Sequence, residues 1–234
     1  MTNRIADFSW DGFTLKIIAI TAMALDHIGA VFFPHILSLR LIGRISAPIM
    51  AFFISEGYTK TRNIRRYMLR LFVFALLSMV PYYLVFGRSP FNILFDLLLG
   101  LIIIFLTDRV KEDYCKWGIV LLGTIIAFLL GTDGRMGISA LVYLFYRFKN
   151  DIKALVLSMS ILYVCPMVLM VLYSAVNLNA LPQSIGFWLH PFSLLSLPLI
   201  WGYNGERGRN LKYLFYIFYP AHLVILYGIM NVIR

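Results

Sequence analysis

Charged side chains are scarce in this sequence. They make up 14% of its 234 residues, against roughly 25% in a soluble domain. Cysteine is nearly absent: Cys115 sits in a charged stretch and Cys165 in an apolar run. Two such residues exclude a disulfide framework and a cysteine-based metal site. No repeat, low-complexity tract or Ser/Gly-rich linker is present, so no separate soluble domain is expected. A cleaved secretory leader is not expected either. Arg4 and Asp7 precede a run that itself carries Asp26 and His27, and no small-residue cleavage site follows.

What is abundant is apolar surface. Hydrophobic residues make up 61% of the chain, more than a soluble core of this size can hide. They cluster into long runs separated by short charged stretches, the pattern of membrane-spanning helices. The net charge of +10 does not indicate a nucleic-acid partner. That reading needs a basic face on a soluble module, and here the basic residues lie between apolar runs.

The expected fold is all-α and polytopic, with about nine transmembrane helices in one bundle. The runs cover roughly residues 14–34, 39–58, 68–86, 91–107, 117–131, 136–147, 152–174, 187–203 and 211–233. A span needs about 20 residues, so the fifth and sixth are short. Lysine and arginine set the orientation. One set of ends and loops carries Arg4 and Lys16; Lys60, Arg62, Arg65, Arg66 and Arg70; Arg109, Lys111 and Lys116; Arg147, Lys149 and Lys153; and Arg207, Arg209 and Lys212. The other holds Arg40, Arg44, Arg88, Arg135 and Arg234. The richer set is expected in the cytoplasm, with the N-terminus inside.

Polar residues within the apolar runs are the candidates for function, because a charge at a helix centre costs about 2.5–3.5 kcal/mol on insertion scales. Asp26 and His27 fall in the outer half of the first span. Arg40 and Arg44 open the second, and Glu56 closes it. Asn92 and Asp96 open the fourth, Asp133 precedes the sixth, His190 opens the eighth, and His222 lies mid-ninth. Arg40 and Arg44 share a helix face, as do Asn92 and Asp96. The two arginines are expected to pair with Asp26 or Asp96, offsetting desolvation.

Lys16 and His27 are eleven residues apart, almost three full turns, so both lie on one helix face roughly 16–17 Å apart. A cation at the cytoplasmic end and a proton acceptor within the membrane suit a donor with anionic phosphates, a neutral arm and a reactive tip. Acyl-coenzyme A has that layout, and Arg62, Arg65 and Arg66 are candidate further phosphate contacts. His27 is suited to take a proton from an attacking amine or hydroxyl. Asp26, about 100° around the helix, is a second catalytic candidate, positioned to pair with Arg40 or Arg44 rather than to orient His27. Arg44 or Asn92 is a candidate oxyanion donor. Arg40, Glu56, Asp96 and Asp133 complete the candidate substrate pocket. No metal is expected, because the four histidines lie on separate segments.

The sequence resembles the TraX family. The resemblance is carried by Leu15-Lys16-Ile17-Ile18-Ala19-Ile20 running into Asp26-His27-Ile28-Gly29-Ala30, then Leu41-Ile42-Gly43-Arg44-Ile45 with Pro48. It continues through Glu56-Gly57, Thr61-Arg62-Asn63, Asn92-Ile93-Leu94-Phe95 with Gly100, Asp133 with Gly137, and Phe218-Tyr219-Pro220-Ala221-His222-Leu223. It is dense over the first 100 residues and thinner between 105 and 185. It implies one acyltransferase-like domain over residues 1–234 in the bacterial inner membrane, an N-acetyltransferase of the kind that acetylates pilin N-terminal amines. The Lys16-to-His27 spacing is also similar to a motif of acyltransferase-3 membrane enzymes. That likeness implies acetyl-CoA as donor, His27 as base and Lys16 as a coenzyme A contact. The acceptor is expected to be a peptide amine or, second, a sugar hydroxyl or other small molecule. The rival classes are a transporter or channel using the intramembrane Asp, His and Arg residues, and an assembly scaffold.

Overall fold

The computed structural model describes residues 9–87, 89–134, 137–176, 185–210 and 212–233. Arg4, Arg88, Arg135 and Arg234, used in the charge count, lie outside them, as does the side chain of Lys212. The described residues form helices and one isolated bridge, between Trp10 and Tyr203. The helices are α1 (Gly12–Val31), α2 (Leu37–Gly43), α3 (Ser46–Lys60), α4 (Ile64–Phe86), α5 (Ile93–Thr107), α6 (Asp113–Leu130), α7 (Gly137–Arg147), α8 (Ile152–Val176), α9 (Ile185–Trp188), α10 (Ser196–Trp201) and α11 (Lys212–Ile233). A 3-10 helix, His190–Leu195, precedes α10.

The boundaries follow from local chemistry. Asp11, Asn63 and Asn92 accept from the backbone N–H groups of Thr14, Arg66 and Leu94, capping α1, α4 and α5. Asp151 does the same for Ala154 at the start of α8. Gly87 and Gly131, at φ 61° and 63°, end α4 and α6 in the left-handed conformation that glycine adopts without strain.

Among the described residues, six stretches are long and apolar enough to cross a membrane: Gly12–Val31, Leu37–Lys60, Ile64–Phe86, Asp113–Leu130, Ile152–Ala175 and Tyr213–Ile233. The second joins α2 and α3 across the turn at residues 44–45. Side chains such as Leu122, Leu129 and Leu172 stand 60%, 76% and 60% exposed, as lipid-facing residues do. The chain is a multi-pass membrane protein.

The expectation of nine spans is corrected. The run at 136–147 forms only the 11-residue α7, about 16–17 Å of helix at 1.5 Å per residue, too short for a core of about 30 Å. The run at 187–203 is broken into α9, the 3-10 helix and α10, with Pro191 and Pro198 removing backbone donors along it. The run at 91–107 gives α5, 15 residues long and shorter than the six.

The chain folds as two compact units. One comprises residues 1–49 and 148–208, the other 50–147 and 209–234. In the first, α1 packs against α2, and α8 against the 3-10 helix. Trp10 N–H donates to the Gly202 carbonyl at 2.8 Å and Asn204 N–H to the Trp10 carbonyl at 3.0 Å, holding the 202–206 turn to the start of α1. In the second, α5 is the central helix, packed against α4, α6 and α7, while α11 lies along α4. Its buried side chains include Leu94, Phe95, Asp96, Leu97, Leu98, Leu101, Ile103 and Ile104, covering all sides of the helix, as expected of a core element.

Helices in the second unit alternate in direction. Tyr58 at the end of α3 and Tyr146 at the end of α7 both reach Asp108, just past α5. Arg147 approaches Asp113 at the start of α6. The ends bearing Lys60, Arg109, Lys116 and Arg147 therefore gather on one side, called here the basic end.

α5 and α7 meet at Gly100. A Cβ there would lie 2.5 Å from Val142 Cβ, so the position admits no side chain. Gly100→Ala is expected to cost about 1–3 kcal/mol through overpacking, read as a lower melting temperature in detergent. Gly118→Ala, where a Cβ meets nothing within 4 Å, should leave the melting temperature unchanged or raise it.

Candidate functional site

The first unit carries a cluster of three largely buried charges. Asp26 and His27 follow one another near the end of α1, and Arg40 and Arg44 lie one turn apart along and just past α2. Arg40 Nη1 is 2.8 Å from Asp26 Oδ2 and donates to the Asp26 carbonyl at 2.9 Å. Arg44 Nη2 donates to Asp26 Oδ1 at 2.8 Å, and its Nε to the Arg40 carbonyl at 3.3 Å. One carboxylate thus engages a guanidinium with each oxygen. All three side chains are largely buried, 14–18% exposed.

Glycine makes this approach possible. A Cβ at Gly43 would fall 2.2 Å from Asp26 Cβ, so α2 lies directly against the aspartate. Of the two partners expected for Arg40 and Arg44, the structure brings Asp26. The neighbouring His27 is buried at 7% exposure, while Lys16, on the same face of α1 near its start, is half-buried. In the same unit the buried Tyr163 of α8 stacks parallel to His190 at 6.2 Å between ring centroids.

Two guanidiniums against one carboxylate leave this cluster with an excess unit of positive charge. In a low-dielectric interior such a charge stabilises an oxyanion or holds an anionic group. A buried imidazole one residue away is suited to proton transfer.

The remaining predicted residues lie in the second unit. Asn92 is fully buried: its amide donates to the Ala75 carbonyl at 2.9 Å, and its carbonyl oxygen caps α5. Its side chain ties α4 to α5. Asp96, also fully buried, accepts from the Thr132 hydroxyl at 2.7 Å and the Gly134 N–H at 2.9 Å. Exposed Asp133 accepts from the Tyr82 hydroxyl at 2.6 Å. These contacts fix the 131–134 turn onto α4 and α5. Glu56 is buried and pairs with Lys60 at 3.0 Å near the basic end. His222 stacks on Phe218, with Nδ1 2.8 Å from the Phe218 carbonyl.

Arg62, Arg65 and Arg66 are exposed at the entry to α4. Arg62 lines a cavity of about 340 Å³ at the basic end, together with Tyr58, Phe105, Arg109 and Tyr146. Arg65 and Arg66 are not among its lining residues. Sequence reasoning missed the contact of Tyr58 and Tyr146 with Asp108 beside it. The available signal was a carboxylate and two tyrosines at three helix ends that share the basic side.

A family model described as TraX protein matches residues 11–230. The chain belongs to the TraX family. This TraX chain is 29% identical over 261 aligned positions to a probable fimbrial assembly protein FimC, serogroup H1, of Dichelobacter nodosus, with 96% of each chain covered. It is 25% identical over 135 positions to an uncharacterised protein of Rickettsia prowazekii (strain Madrid E), covering 55% of this TraX chain and 52% of that protein. No solved structure matches it.

Proposed function

We propose that this chain is an integral membrane acetyltransferase of the bacterial cytoplasmic membrane. It moves an acetyl group from cytoplasmic acetyl-CoA to an acceptor amine, with the N-terminus inside. The observation that carries this reading is the arrangement along α1. Lys16 and His27 lie on one face, and His27 is buried next to a carboxylate whose two oxygens are both held by arginines.

Lys16 holds donor phosphate where the helix starts, and the acyl end reaches His27. The acceptor nitrogen attacks the thioester carbonyl while His27 takes its proton. Arg44 stabilises the oxyanion of the tetrahedral intermediate. Collapse breaks the C–S bond, and the imidazolium returns its proton to the departing thiolate, giving the amide and free coenzyme A. Asp26 is a positioning residue that sets the two arginines. Fimbrial assembly in the name of the D. nodosus relative supports a peptide amine, pilin-like, as the acceptor.

The test is direct. The full-length protein in proteoliposomes, given radiolabelled acetyl-CoA and an amine-terminated peptide, should form labelled peptide and free thiol in equal amounts. A preparation that neither transfers to peptide, amine or sugar acceptors nor hydrolyses acetyl-CoA overturns the proposal. Solute flux without acetyl-CoA would assign the buried charges to transport instead.

A further inference from the structure

Arg70 lies in the second turn of α4, within a stretch that crosses the membrane. Among the described residues no carboxylate pairs with it, and its buried Nε has no hydrogen-bond partner. Charged residues at membrane depth are costly and by default functional. Its position is nonetheless fixed. The guanidinium sits over the Tyr67 ring, 5.7 Å from the centroid, and the Tyr216 hydroxyl of α11 lies against it. Tyr67 is itself held: it is buried, and a Cβ at Gly57 of α3 would lie 2.7 Å from its hydroxyl oxygen. Tyr216 stacks on Phe74, one turn beyond Arg70, at 5.1 Å between ring centroids. Tyrosines from two helices thus set a cation that lacks a counter-charge, in the seam between α4 and α11. An arginine that merely reached for the headgroups would keep its head in water; here the inner nitrogen is enclosed.

The face of α4 that carries Arg70 indicates what the counter-anion is. Positions 66, 70, 73, 77, 80 and 84 follow the spacing of one helix side. Arg66 and Arg70 come first, and Val73, Leu77, Val80 and Leu84 follow, all four exposed. Two guanidiniums one turn apart suit a phosphate. An exposed aliphatic stripe running away from them suits an acyl chain and not a soluble anion. From Arg70 to Val80 is about 15 Å of helix at 1.5 Å per residue, half of a hydrocarbon core of about 30 Å. The stripe therefore spans one leaflet. Tyr213, exposed one turn before Tyr216 on α11, adds a polar-tipped ring of the kind that favours the membrane interface.

We infer that the seam between α4 and α11 binds an anionic phospholipid from the leaflet at the basic end. Arg70 and Arg66 hold the headgroup phosphate, Tyr67 and Tyr216 aim the Arg70 guanidinium, and an acyl chain lies along the stripe. A zwitterionic headgroup brings its own cation, which two arginines repel, so the preference is for net negative charge. The site does not depend on acetyl transfer.

Native mass spectrometry of the full-length protein in a neutral detergent tests this, with phosphatidylglycerol, phosphatidylcholine and inorganic phosphate as probes. Wild type should retain phosphatidylglycerol in preference to phosphatidylcholine. Arg70→Gln should weaken phosphatidylglycerol binding about fivefold or more, the worth of one arginine at an anionic surface, and Arg66→Gln by a similar factor. Added phosphatidylglycerol should raise the melting temperature of wild type by mass action and leave that of Arg70→Gln nearly unmoved. Without lipid the two should melt alike, since the change strands no acid partner. Arg66 is exposed, so its variant decides if Arg70→Gln does not fold. Equal retention of both lipids by wild type overturns the inference, as does a preference that the variants keep. Displacement of phosphatidylglycerol by inorganic phosphate transfers the site to a soluble anion and overturns the lipid assignment.

Discussion

His27→Ala is expected to lower acetyl transfer by about 10²–10⁴-fold, the usual contribution of a positioned base, with folding unchanged. The imidazole is buried, but removing it leaves no charge stranded, because Asp26 is held by Arg40 and Arg44. Melting temperature and gel-filtration profile should therefore stay near wild type, apart from the small cost of a lost buried ring. Lost transfer with normal folding would distinguish a catalytic histidine from a packing one. Full activity in this variant ends the mechanism proposed for α1.

Asp26→Ala has the largest expected effect on stability. It removes the carboxylate that pairs with both largely buried guanidiniums. Breaking a buried ion pair from one side costs about 3–5 kcal/mol, and here two cations lose one partner. The measurement is thermal unfolding in detergent. A triple variant, Asp26→Ala with Arg40→Met and Arg44→Leu, removes the whole charged cluster and should recover most of the lost stability, because buried ion pairs are often replaceable by apolar groups. The triple variant also decides between roles. Recovered stability without recovered transfer places the cluster in the chemistry. Recovery of both makes it a helix clamp and moves the oxyanion role away from Arg44.

The sequence made much of this visible. The apolar runs at 14–34 and 68–86 mark α1 and α4 to within a few residues. The i, i+4 spacing of Arg40 and Arg44 anticipates a shared partner. What failed was the step from apolar run to membrane span. α5 and α7 are apolar because other helices enclose them, and composition cannot tell a neighbouring helix from lipid. The run at 187–203 reads as continuous only if Pro191 and Pro198 are ignored, and backbone donors lost at both make short helices the outcome. The cavity at the basic end was hidden for another reason. Tyr58 and Tyr146 are 50 and 38 residues from Asp108, and only the shared direction of α3, α5 and α7 brings them together.

The enclosure of α5 bears on how the protein is made. A 15-residue helix offers a ribosome-bound insertion machinery too little length for a stable stay in lipid by itself. Its buried carboxylate, Asp96, finds its partners in Thr132 and Gly134, which emerge more than thirty residues later. α5 is therefore expected to settle, during synthesis, only after α6 and the turn beyond it have emerged. Nascent chains stopped between α5 and Thr132 should hold that helix loosely, and longer ones should lock it.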